Sequence, residues 1–165
     1  MISTLHLSAG VSALALGLLI VLSPKGTKRH KTWGYAYTLA MVILNLTSFG
    51  IYGLFDGWGA FHYMALFSLA TLLAGLIPAW GPRQEKSWIV WHNKMMSYSY
   101  VGLVMATGSH IMGSTIKVGM GWGLAKVEAQ VLAILLGWCL PLAVGMILIE
   151  RYNRRHFHHQ SHRSK

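Results

Sequence analysis

The chain has 165 residues, 54% of them apolar, with 14 Lys and Arg against four Asp and Glu and a formal net charge of +10. That composition, with a mean hydropathy of +0.46, excludes an ordinary soluble domain and implies one polytopic, all-α membrane domain. The basic residues sit at the edges of apolar runs instead of alternating with exposed aromatics, which excludes a nucleic-acid module.

Five apolar segments of spanning length are expected, at about 3–23, 34–55, 60–80, 92–113 and 127–149. Backbone groups in lipid must be satisfied within each segment, so all five read as helices of one transmembrane bundle. The first has its basic cluster (Lys25, Lys28, Arg29, Lys31) after the apolar run and no small-x-small site, so it reads as a retained helix and not a cleaved signal. Basic clusters also follow the third segment (Arg83, Lys86, Lys94) and the fifth (Arg151, Arg154, Arg155, Arg163, Lys165). These three stretches are expected inside, which places the N-terminus and the links Asp56–Gly59 and Gly113–Lys126 outside the cytoplasmic membrane of a bacterium. Short links favour an up-down arrangement of antiparallel neighbours.

Trp33, Trp58, Trp80, Trp88, Trp91 and Trp122 fall at segment ends, as interfacial anchors do. Pro141 should kink the fifth span, Pro24, Pro78 and Pro82 punctuate ends, and the glycine-rich stretch Gly108–Gly123 reads as a mobile outer loop. Cys139, alone in the fifth span, reads as a buried core thiol. The spanning domain is expected over residues 1–152, with a disordered, basic, His-rich cytoplasmic tail at 153–165 that touches anionic lipid or captures metal.

Two faces stand out. His6, Gly10, Ala13 and Gly17 make a stripe of small residues that admits another helix or a flat ligand. On the second span His30, Gly34, Tyr37, Met41, Ser48 and Tyr52 share a face with Asn45 beside them, either a polar lining or interhelical hydrogen-bond glue. His92 and His110 are eighteen residues apart, five helical turns or about 27 Å, with Ser99, Leu103 and Ala106 between them.

The assumed topology sorts five histidines into two groups. His30 and His92 belong to the inner ends, and His6, His62 and His110 to the outer ends. An imidazole pair from two helices suits a six-coordinate heme b iron, with Lys28, Arg29, Lys31 and Lys94 near for propionates. In that reading His30 and His92 hold an inner heme, and His62 with His6 or His110 forms a second outer site. Three converging histidines, His6, His62 and His110, suit instead an open divalent-metal site for Zn, Cu or Fe, as in a metal-handling protein or transporter. A structural role is open for each of them, since histidine is at home at a membrane interface. With no Asp or Glu inside a span except Glu128 and Glu150 at the edges of the fifth, and no P-loop, HExxH or nucleophile elbow, hydrolytic chemistry has no centre.

Pro24-Lys25-Gly26-Thr27 leading to His30, Asn45-Leu46-Thr47, Gly50-Ile51-Tyr52, Phe61-His62, Ser68–Leu72 and Ser97–Leu103 resemble bacterial integral membrane proteins catalogued as domain of unknown function 2306. The resemblance covers roughly the first four spans. It implies histidines at the positions of His30, His62 and His92, and commonly an acidic residue at the position of His110. In plan the chain also resembles diheme transmembrane b cytochromes, whose ligand pairs on one helix are closer together than His92 and His110. The expectation is a b-type electron-transfer protein in contact with the lipid bilayer and served by a quinone or membrane redox partner. The alternatives are the outer metal site and a non-catalytic membrane subunit.

Overall fold

The computed structural model describes residues 1–51, 58–81 and 87–157. These form five helices: α1 (Ile2–Leu22), α2 (Lys28–Ser48), α3 (Ala60–Trp80), α4 (Ser87–Gly121) and α5. The last consists of two α-helical segments, Lys126–Ile134 and Leu140–Phe157, joined without a break by a π-helical turn at Leu135–Cys139. The chain divides into two compact units, Met1–Ala74 and Gly75–Lys165, and the division falls within α3.

In the first unit α1 and α2 form an antiparallel hairpin. α1 is apolar around its whole circumference, and only 17% of its most apolar stretch is buried, so Leu7, Val11 and Leu18 look outward. Such a helix needs lipid on its open side. Pro24 follows the end of α1, whose last carbonyls, Ile20 and Val21, accept hydrogen bonds from the Lys25 ammonium. Burial lowers the Lys25 pKa from its ordinary value. Gly26 takes φ +78, and the Thr27 hydroxyl caps α2 by accepting the His30 N–H at 3.1 Å. The small stripe of α1 is occupied by α2: Ala9, Ala13 and Gly17 are buried, and Leu44 lies against Gly10.

In the second unit α4 and α5 pair antiparallel along almost their whole length. Gly145 faces Val101, Gly108 faces Gly137, and Gly119 faces Ala129. The Trp138 indole donates to the Ser109 hydroxyl at 2.8 Å, the Asn93 amide donates to Asn153 at 2.9 Å, and Lys94 lies 3.7 Å from Glu150.

Four sequence expectations differ here. The stretch expected as an outer loop is helical to Gly121, because Gly108 and Gly119 are buried against α5 and their missing side chains permit the approach. The helix stops at Gly123 (φ +89): the Leu124 N–H reaches the Gly119 carbonyl and the Gly123 N–H reaches Met120, a Schellman cap. Cys139 is exposed, not a core thiol; on a helix bathed in lipid an outward side chain is as dry as a buried one. Pro78 lies inside α3 instead of ending it. Near Pro141 the perturbation is the π-helical turn, which widens the helix where the proline lacks an N–H and its ring crowds the Gly137 carbonyl.

Three helices are long and apolar enough to cross a membrane: α1, α3 and α5. The spans expected at 34–55 and 92–113 correspond to α2 and α4, which are long enough but more polar. Helix continues past the expected start of the tail, to Phe157; residues 158–165, with His158, His159 and His162, lie outside the described residues, as do Tyr52, Asp56, Gly57, Pro82, Arg83 and Lys86.

Candidate histidine sites at the helix ends

His6 projects from the first turns of α1, half-buried, with Nδ1 3.0 Å from the Thr47 hydroxyl and 3.2 Å from the Leu44 carbonyl. A carbonyl only accepts, and the Thr47 hydroxyl lies 2.8 Å from the Ile43 carbonyl, to which it donates. Nδ1 therefore carries a proton, and in the neutral ring it is the protonated nitrogen. The bond ties α1 to α2.

His30 stands in the first turn of α2, half-buried, its backbone held by the Thr27 cap. Along the same helix Tyr37, Met41 and Asn45 are almost fully buried, as their shared face requires. Two polar members bond to their own helix: the Asn45 amide donates to Met41 at 2.8 Å, and the Ser48 hydroxyl to the Asn45 carbonyl at 2.6 Å. Back-bonding of this kind satisfies a polar group without involving a second helix.

His62 is buried at 3% exposure, stacked on Trp58 with ring centroids 5.3 Å apart and flanked by Phe49 at 6.3 Å. Its Nδ1 accepts the Gly59 N–H at 3.1 Å, so in the neutral ring the proton sits on Nε2. This is the reverse of the His6 arrangement. A neutral imidazole has one lone pair, and in His62 it closes the start of α3.

His92 is half-buried on α4, with Nδ1 2.7 Å from the Gly75 carbonyl of α3. That acceptor fixes a proton on Nδ1, in the kind of hydrogen bond that orients metal- and heme-ligating histidines. Gly75 permits the approach: a Cβ there would lie 2.8 Å from the Met96 sulfur and 3.1 Å from the Met96 backbone nitrogen. Met96, one turn beyond His92, shares its face. The Trp88 ring lies 6.3 Å from His92, tilted.

His110 is exposed and does not end its helix, because α4 runs eleven residues further, about 16 Å. Among the described residues no group of three or more His, Cys, Asp or Glu side chains is placed to hold a metal ion. His6, His30 and His62 belong to the first unit, and His92 and His110 to the second.

Sequence reading missed the partners that orient these rings. The Gly75 carbonyl has no side-chain signature, although a glycine inside an apolar helix hints at close approach. Asn93 and Asn153 stand beside Lys94 and Glu150 at the same end of their helices, and that shared placement was the available signal for their pairing.

Residues 3–149 match the family described as "Predicted membrane protein (DUF2306)". The chain belongs to this family. Its description agrees with the apolar, outward-facing surfaces of α1, α3 and α5 and states no activity. No curated protein and no solved structure matches the chain.

Proposed function

We propose that this DUF2306 member is a five-span protein of the bacterial cytoplasmic membrane, with its N-terminus outside and its basic ends inside. Family membership and three apolar helices support the membrane placement. Charge spacing supports α4 as a further span. Lys94 and Lys117 on α4, and Glu128 and Glu150 on α5, are separated by about 35 and 33 Å of helix, close to a hydrocarbon core of about 30 Å. The stretches between them carry no Asp, Glu, Lys or Arg.

Within that bundle we propose a b-type heme role in which His92 would be one of the residues that hold the heme. The observation that carries it is the Nδ1 hydrogen bond to the Gly75 carbonyl, which orients the ring in the way common among ligating histidines. Heme would supply one-electron chemistry, exchanged with a quinone or a membrane redox partner. His6 has the same ring orientation logic and is the better candidate for an outer ligand than His62, whose Nδ1 is engaged by Gly59. The visible spectrum of protein purified after expression with ample heme tests this. A reduced α band that is lost in His92→Ala supports the reading, and its absence from the unmodified protein removes it.

A second reading has its own observation. His6 bridges two helices, and His62 caps the start of its own helix under Trp58. Such rings hold a non-catalytic membrane subunit together without a cofactor. Unchanged bound contents after replacing His6, His30, His62, His92 and His110 would favour it.

A further inference from the structure

The α4–α5 pairing does not end at the Lys94–Glu150 ion pair. Asn153, almost one turn farther along, is 6% exposed and bonded to Asn93, and α5 remains helical to Phe157. The last turns of α5 are therefore held against α4. They carry Arg151, Arg154 and Arg155, all exposed. Arg154 is drawn to Glu150 at 3.0 Å, whereas Arg151 and Arg155 have no carboxylate partner among the described residues.

Arg151 and Arg155 lie two residues to either side of Asn153, about 160° around the helix from it, so both face away from α4. Spaced four apart, they stack two like charges one turn from each other, which is unfavourable unless an anion lies between them. Two guanidinium forks match phosphate oxygens in geometry as well as charge. Their position, one turn past the apolar part of α5, is the depth of lipid headgroups on the positive side of a membrane.

We propose that Arg151 and Arg155 together bind the phosphate of an anionic phospholipid, and that Glu150 keeps Arg154 out of that site. The contact belongs to the folded helix and not to the tail after it. This rests on the membrane placement proposed above, which alkaline carbonate extraction tests separately: release of the protein would overturn that placement itself.

The lipid site is read by titrating the full-length protein in neutral detergent with phosphatidylglycerol, phosphatidylcholine and inorganic phosphate, and following bound lipid by native mass spectrometry. The unmodified protein should retain phosphatidylglycerol in preference to phosphatidylcholine and be indifferent to millimolar phosphate. Arg151→Gln with Arg155→Gln should weaken phosphatidylglycerol binding by roughly tenfold or more. Arg151→Lys with Arg155→Lys should fall between, because charge is kept and the fork is lost. Arg163→Gln with Lys165→Gln should bind as the unmodified protein does. Equal retention of phosphatidylcholine, competition by phosphate, an unchanged Gln pair, or loss of binding in the tail variant would each overturn the proposal.

Discussion

At the residue scale, ring tautomers separate histidines that sequence treats alike. Nδ1 donates in His6 and His92 and accepts in His62. His92→Ala removes the bond to Gly75 together with ring packing, so a loss of about 1–3 kcal/mol in unfolding free energy is expected in detergent, with His92→Gln recovering part of it. Thr27 is a simpler case. Thr27→Ala should cost about 1 kcal/mol by uncapping α2, while Thr27→Ser should be near neutral, as read by thermal unfolding. Sequence reading began this span near residue 34, where the apolar run starts, and did not mark Thr27 as its cap, because hydropathy does not register the polar first turns of α2. The tautomers were not legible either, because the acceptor or donor that decides each is a backbone group with no residue signature.

At the element scale, the crossing of α4 and α5 depends on two glycines. A Cβ on Gly108 would lie 2.3 Å from the Gly137 carbonyl oxygen, a backbone atom that cannot swing aside. Gly108→Ala should force the helices apart and destabilise by about 1–3 kcal/mol or more. Gly113, on the same helix, has nothing within 4 Å of the corresponding point, so Gly113→Ala should stabilise by about 0.5–1 kcal/mol. Opposite signs from one substitution type on one helix separate contact from propensity, and equal effects would refute the crossing. Sequence marked both positions only as glycines in a glycine-rich run, which is why the loop expectation failed. Glycine lowers helix propensity by a small increment, and packing against α5 outweighs it. Pro141 was legible as a perturbation, but whether the helix bends or widens depends on what lies beside Gly137, and that is Gly108.

At the scale of the whole molecule, the testable statement is orientation. Single-cysteine variants in a Cys139→Ala background should be labelled from outside at Lys117 and from inside at Arg155; the opposite pattern would refute the positive-inside assignment. Sequence alone determined that the chain is helical, that it belongs with lipid, and where its apolar runs lie, because those depend on composition and on the need of every backbone group for a partner. Tertiary structure decided which glycines are contacts, which carbonyl each imidazole meets, and that the Arg151 and Arg155 side chains stand on a held helix turned away from α4. Those features rest on close approach between residues far apart in the chain, and hydropathy and spacing along one helix carry no record of what packs against it.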